Sequence, residues 1–304
     1  MNSLNEKTDF LKQLVIILVL CLLSVLLFSI VGAVVAKLLF NVNINHQFSY
    51  HQLANNEINA LKIIQLFSSI GLFIIPPLIY AKLISKTPFI ELGIKAKTNF
   101  KSIILTVLIM FIVMPFLSFT IDLNSKLVLP EFMSSIEEWM KQSEEEAMFL
   151  TSSFLKMGNL LDFFFIFFLV AILPAVGEEL LFRGVLQKLF IKWTKKYHLG
   201  VWITAILFSA LHMQFYGFLP RLILGVMFGY LFFWSKSLWL PIIAHLLNNG
   251  SVVIAAYINP NSINDSEPFS SSENTFLSIL LIIISFSATT FLLLTFIKTQ
   301  KNTT

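Results

Sequence analysis

The chain has one cysteine, Cys21, among its 304 residues. No intramolecular disulfide can form, no thiolate cluster is available to a metal, and cysteine usage leaves the redox compartment open. Charge is scarce as well: Asp, Glu, Lys and Arg make up 12% of the residues, where soluble domains carry roughly 25%. The His-Glu-x-x-His helix of zinc proteases is absent, and so are internal repeats and low-complexity tracts. What the chain does have is long apolar runs. With 57% hydrophobic residues and a mean hydropathy of +0.82, it reads as an all-α, polytopic membrane helix bundle with no nucleic-acid partner. The net charge of +4 then bears on topology, because cytoplasmic loops collect Lys and Arg.

Apolar windows close to the ~20 residues that cross a bilayer fall at 14–40, 61–81, 102–121, 160–179, 200–216, 218–234, 238–258 and 276–297, which predicts about eight transmembrane helices. The first is too long for a signal-peptide core of ~7–15 residues and reads as a retained span. The segment after the second window carries Lys82, Lys86, Lys95, Lys97 and Lys101, and the segment after the fourth carries Arg183, Lys188, Lys192, Lys195 and Lys196. Opposite-parity segments are acidic: Glu131, Glu137, Glu138, Glu144, Glu145 and Glu146 in one, Asp265, Glu267 and Glu273 in the other. Both termini are therefore expected in the cytoplasm. Phe132, Ile136, Trp139 and Met140 predict a short amphipathic helix between the third and fourth windows, and Leu189, Phe190 and Trp193 a second interfacial helix over Leu186 to Tyr197. Gly225 and Gly229 form a small-x-x-x-small pair for close helix packing.

Three polar signatures interrupt the apolar runs: Glu178-Glu179-x-x-x-Arg183, Phe208-x-x-x-His212 and His245-x-x-x-Asn249. Ionisable groups at membrane depth are costly and mark functional sites by default. On a helix Glu179 and Arg183 share a face and can pair, whereas Glu178 lies ~100° round and stays available to activate water. Pro174, about one turn earlier, is expected to loosen the helix and aim this carboxylate inward. His245 and Asn249 project from one helix face. Each signature alone also fits a structural role: a solvated helix end, a hydrogen-bonded core histidine, polar packing between helices. Together they supply a carboxylate, two imidazoles and a carboxamide, enough for water activation and oxyanion stabilisation. Glu178 is expected near the inner end of its span, with His212 deeper. His46, His51 and His198 have no comparable context.

In this order, each on its own apolar segment, the three patterns resemble the CPBP family of intramembrane proteases, which includes the type II CAAX prenyl endopeptidase and lysostaphin-resistance-protein-A-like proteins. The resemblance covers about Leu160 to Tyr257. It implies three regions: 1–150 with about three spans and the amphipathic helix, 151–260 as the catalytic core, and 261–304 as a loop, last helix and short cytoplasmic tail. It further implies an intramembrane endopeptidase in which Glu178 and His212 activate water, His245 and Asn249 stabilise the oxyanion, and Glu179 and Arg183 order the site. The family is described both as metalloprotease and as glutamate protease. A divalent metal such as zinc would take Glu178, His212 and His245 as ligands. The expected partners are the lipid bilayer and a peptide or lipid-anchored protein substrate, and the expected location is a bacterial plasma membrane. Two rivals use the same residues otherwise: a proton-coupled transporter, or a non-enzymatic scaffold or immunity protein.

Overall fold

The computed structural model describes residues 2–42, 53–260 and 275–301. The described residues form helices and connections with no strand, the all-helical architecture that composition predicts. In chain order the helices are α1 Asn2–Phe40, α2 Asn55–Ile84, α3 Phe100–Ile112, α4 Met114–Ser125, α5 Ser134–Phe154, α6 Leu160–Thr194, α7 Tyr197–Ala210, α8 Phe218–Ser235, α9 Trp239–Ile258 and α10 Thr275–Lys301. Six of them are long and apolar enough to cross a membrane, and a seventh span results if the bent pair α3–α4 is counted as one. The expected total of about eight is reduced at α7. Its 14 residues rise only about 21 Å, short of the ~30 Å hydrocarbon core. The acidic loop with Asp265, Glu267 and Glu273, and the histidines His46 and His51, lie outside the described residues.

The expected interfacial helix over Leu186 to Tyr197 is not separate. α6 runs on without a break to Thr194, where Lys195 leaves the helix in a left-handed conformation (φ 57°). Leu186, Leu189 and Phe190 are buried in the core with Phe10, Tyr80 and Leu238, so their apolar face meets protein instead of the membrane surface. α5 does form where the amphipathic pattern predicts a helix, with Ile136 and Trp139 exposed. α1 and α10 turn most of their apolar surface outward, as lipid-facing helices do.

Between α3 and α4 the axis bends by 43°. Pro115 follows the bend and has no N–H for the preceding turn. Ser285 of α10 fills the gap: its hydroxyl donates to Ile112 O at 2.6 Å and accepts from Phe116 N at 3.2 Å. Sharp kinks of this kind need such an inserted group. α8 meets α7 through Gly225 and Gly229, as the small-residue pattern predicts. A Cβ on Gly229 would stand 2.9 Å from both Val201 Cγ1 and Gln187 Oε1, and one on Gly225 would stand 3.1 Å from Ala205 Cβ.

Replacing Ser285 by Ala leaves the Phe116 amide without its partner in an apolar setting, a loss of about 1–2 kcal/mol. The thermal midpoint of the purified Ser285→Ala protein in detergent is expected to fall by about 2–5 °C.

Candidate active site

Three elements converge on one buried polar cluster: the middle of α6, the turn after α7 and the first half of α9. α6 is not a regular helix there. Residues Phe167–Ile172 and Leu180–Gln187 are wound as π-helix, on either side of the α-helical Leu173–Glu179 that holds the glutamate pair. Wide turns of this type are rare and concentrate at functional sites. Pro174, in the first turn of that α-helical stretch, has no N–H to give the π-helical turn before it. Asn249 of α9 donates to the Val170 carbonyl of that turn at 3.2 Å. A backbone carbonyl of one helix thus becomes an anchor for a side chain of another.

Glu179 and Arg183 are both 0% exposed. Arg183 Nη1 donates to Glu179 Oε1 at 2.7 Å, and its Nη2 donates to the Gly225 carbonyl at 3.1 Å. Its guanidinium also sits 4.7 Å from the Phe208 ring centre and 5.4 Å from that of Phe228, the arrangement in which a cation is held by aromatic faces. One turn on, Gln187 Nε2 donates to the Gly229 carbonyl at 2.9 Å. At Gly229 the absent side chain is what leaves room for α6, since a Cβ there would stand 2.9 Å from Gln187 Oε1.

Glu179 Oε1 takes a second hydrogen bond, from His245 Nδ1 at 2.9 Å. A carboxylate accepts, so Nδ1 carries the proton and Nε2 presents a lone pair. Asn249 Nδ2 lies 3.2 Å from that Nε2 and donates to it. Asn248 in turn donates to Asn249 Oδ1 at 3.1 Å, which fixes the orientation of the Asn249 amide. Phe228 stacks on His245 at 5.3 Å.

Glu178 has a different environment. Its side chain is 12% exposed, Oε2 lies 3.9 Å from His245 Nε2, and Oε2 has no hydrogen-bond partner among the described residues. Glu179 Oε2 and Arg183 Nε lack partners too, but both belong to groups already held elsewhere. Glu178 stands 16 residues before Thr194, about 24 Å, and 18 after Leu160, about 27 Å. It is therefore in the middle of α6, because the helix continues through the region read as an interfacial helix.

His212 lies two residues beyond the end of α7. Nδ1 donates to the Phe208 carbonyl at 2.8 Å, so the neutral ring keeps its lone pair on Nε2. Phe208 stands between the two imidazoles, 5.0 Å from His212 and 5.9 Å from His245. His212 is within electrostatic reach of Glu178, although no hydrogen bond joins them among the described residues. The histidine thus follows the end of α7, while the glutamate is in the middle of α6. His198 is not in a loop but in the first turn of α7, bonded to the Tyr230 hydroxyl at 2.6 Å.

The sequence reading passes over the residues that hold the His212 turn. Met213 is left-handed (φ 53°), an unusual conformation for a side chain of its size. Arg221 of α8 bonds both the carbonyl and the side chain of Gln214. Asn124 of α4, buried, donates to Phe215 O at 2.8 Å and accepts from Leu219 N at 2.7 Å. From α5, Glu144 accepts from Tyr216 N at 3.2 Å, and Trp139 packs on Phe215. Arg221, an arginine in an apolar helix, carried a signal of its own; Asn124 becomes legible only once α4 is known to end beside this turn. On exposed α5, the hydrogen bond from Lys141 holds the Glu137 carboxyl below its usual range.

The donor set expected for zinc does not assemble. Among the described residues no three His, Cys, Asp or Glu side chains converge as metal ligands. His245 has Nδ1 on Glu179 and Nε2 on Asn249, and among the described residues Glu178 is the only further carboxylate beside it.

Residues 160–251 match the family described as type II CAAX prenyl endopeptidase Rce1-like, so the resemblance implied by the three signatures holds over the segment that contains all of them. Among curated proteins, the chain is 36% identical over 105 residues to the membrane-embedded CAAX protease MroQ of Staphylococcus aureus (strain USA300), covering 33% of this chain and 42% of that protein. It is 31% identical over 82 residues to the uncharacterized protein YpbD of Bacillus subtilis (strain 168), covering 26% and 39%. The chain thus spans about two-fifths of the length of these relatives. No solved structure matches it.

Arg183→Met strands the Glu179 carboxylate in the core, which costs about 3–5 kcal/mol for a broken buried pair. Little folded protein is expected. Adding Glu179→Gln should restore much of the loss, as read by thermal midpoints across the double-mutant cycle.

Proposed function

We propose that the chain is an intramembrane endopeptidase that cleaves a peptide bond in a membrane-associated peptide or lipid-anchored protein, within a bacterial plasma membrane and with both termini cytoplasmic. The observation that carries this reading is the unequal state of two adjacent carboxylates. Glu179 Oε1 is held by Arg183 and His245, while Glu178 Oε2 has no hydrogen-bond partner among the described residues and stands 3.9 Å from His245 Nε2. A half-buried free carboxylate in an apolar surround is suited to general-base work.

In the proposed reaction Glu178 takes a proton from water, whose oxygen attacks the scissile carbonyl carbon. His212 Nε2 accepts from the same water and orients it. The resulting oxyanion is met by Asn249 Nδ2 and by His245, whose positive charge, when it is protonated, is balanced by Glu179. The 3.2 Å bond between Asn249 and His245 is long enough to exchange for one to the oxyanion. As the C–N bond breaks, Glu178 returns its proton to the leaving nitrogen. General acid–base catalysis of this kind contributes 10²–10⁴-fold. Glutamate-type hydrolysis is therefore preferred here over the metalloprotease alternative.

The test compares protein termini by mass spectrometry in host cells that carry either the wild type or Glu178→Ala, at matched membrane levels. Termini present only with the wild type are expected, and their sequences name the substrate. Identical termini in both, with both versions rescuing a deletion phenotype, would overturn the reading in favour of a binding or scaffold role.

A further inference from the structure

At the end of the bundle where α2 and α6 begin and α5 finishes lies a cavity of about 280 Å³, far from the glutamate pair. Its walls include Asn55, Asn59, Lys62, Ser153, Lys156 and Asp162. Lys62 is the unusual member. It is only 7% exposed, yet it makes no hydrogen bond or ion pair among the described residues. Its ammonium lies 6.0 Å from the Phe154 ring centre and feels Asp162 only at a distance. With its stem buried, the side chain ends at the cavity wall, where the ammonium has no counter-charge within ion-pair distance among the described residues. Asp162 does not offset it closely, because its Oδ2 accepts from Gly158 N at 3.0 Å as part of the α6 start.

Asp162 is the one carboxylate in the wall, against two lysines and several uncharged donors. Lys156 stands exposed on the rim and adds a second positive charge. The first turns of α2 and α6 both border the cavity, with their amide-rich ends and positive dipole ends. Asn55, Asn59 and Ser153 add uncharged donors. Immediately along α6, Leu161 (81% exposed), Phe164 (60%) and Phe168 (42%) form an open apolar stripe at helical spacing.

We propose that this cavity binds the phosphate of a phospholipid headgroup. Lys62 and Lys156 pair with the phosphate, the headgroup's own hydroxyl or amine faces Asp162, and the acyl chains run along Leu161, Phe164 and Phe168. Phosphate chemistry is indicated by two lysines with amide and hydroxyl donors around one small cavity. The lipid source is indicated by the apolar stripe that starts at its rim.

The test uses the full chain purified in phosphate-free detergent and reads the thermal midpoint with three additives: short-chain phosphatidylglycerol, the matching diacylglycerol without phosphate, and inorganic phosphate. Saturating phospholipid is expected to raise the wild-type midpoint by about 5 °C, while the diacylglycerol and inorganic phosphate do not. The rise should vanish in Lys62→Met, which keeps the side chain's length and removes the charge. It should drop by at least half in Lys156→Gln, an exposed change that leaves the fold intact. An equal rise with diacylglycerol, an undiminished rise in both variants, or no rise at all would overturn the proposal. A full rise with inorganic phosphate alone would overturn the lipid source and leave a free-anion site.

Discussion

The buried ion pair between Glu179 and Arg183 is the interaction on which the rest of the arrangement depends. Two fully buried charges in an apolar bundle survive only when each is paired and hydrogen-bonded. Here the pair and its further contacts span four helices. Arg183 completes its bonds on the Gly225 carbonyl of α8 and the ring of Phe208 in α7, and Glu179 completes its own on His245 of α9. One consequence is mechanical, since α6, α7, α8 and α9 are held in register by groups that tolerate no loss of a partner. The other is chemical. With Glu179 committed and His245 fixed as a single tautomer, the neighbouring Glu178 is the carboxylate left to react.

The wide turns of α6 make this geometry possible. Glu179 and Arg183 are four residues apart, and a regular helix would already bring them together. The π-helical stretch that follows buries all of Leu180–Gln187, so Arg183 and Gln187 both reach the glycine carbonyls of α8. On the other side, the Val170 carbonyl accepts from Asn249. The missing side chain of Gly229 leaves room for Gln187, whose Oε1 a Cβ there would approach to 2.9 Å.

Much of this was legible in the sequence. The membrane class follows from composition, and the Glu179–Arg183 pairing follows from a spacing of four on a helix. Contact between α7 and α8 follows from Gly225 and Gly229. What was not legible has a common cause: periodicity reports which residues share a face but not where a helix stops. The apolar pattern of α6 weakens after Glu179 as basic residues appear, and this suggests an interface. Leu186, Leu189 and Phe190 instead pack inward and carry the helix on to Thr194. α7 has an apolar window long enough to suggest a span, yet it ends at Ala210, and His212 falls in a turn shaped by Asn124, Arg221 and Gln214. Asn124 is about 90 residues from this turn in sequence, and no local pattern joins it to Gln214 and Arg221.

The central claim is that two consecutive glutamates do different work, one holding the fold and the other free to react. The most direct measurement is the thermal midpoint of purified Glu178→Gln and Glu179→Gln in the same detergent. The account predicts that Glu178→Gln unfolds within about 1–2 °C of the wild type, whereas Glu179→Gln, which leaves Arg183 buried without its counter-charge, falls by about 5 °C or more or fails to accumulate. Equal midpoints for the two variants, or a larger loss for Glu178→Gln, would contradict it.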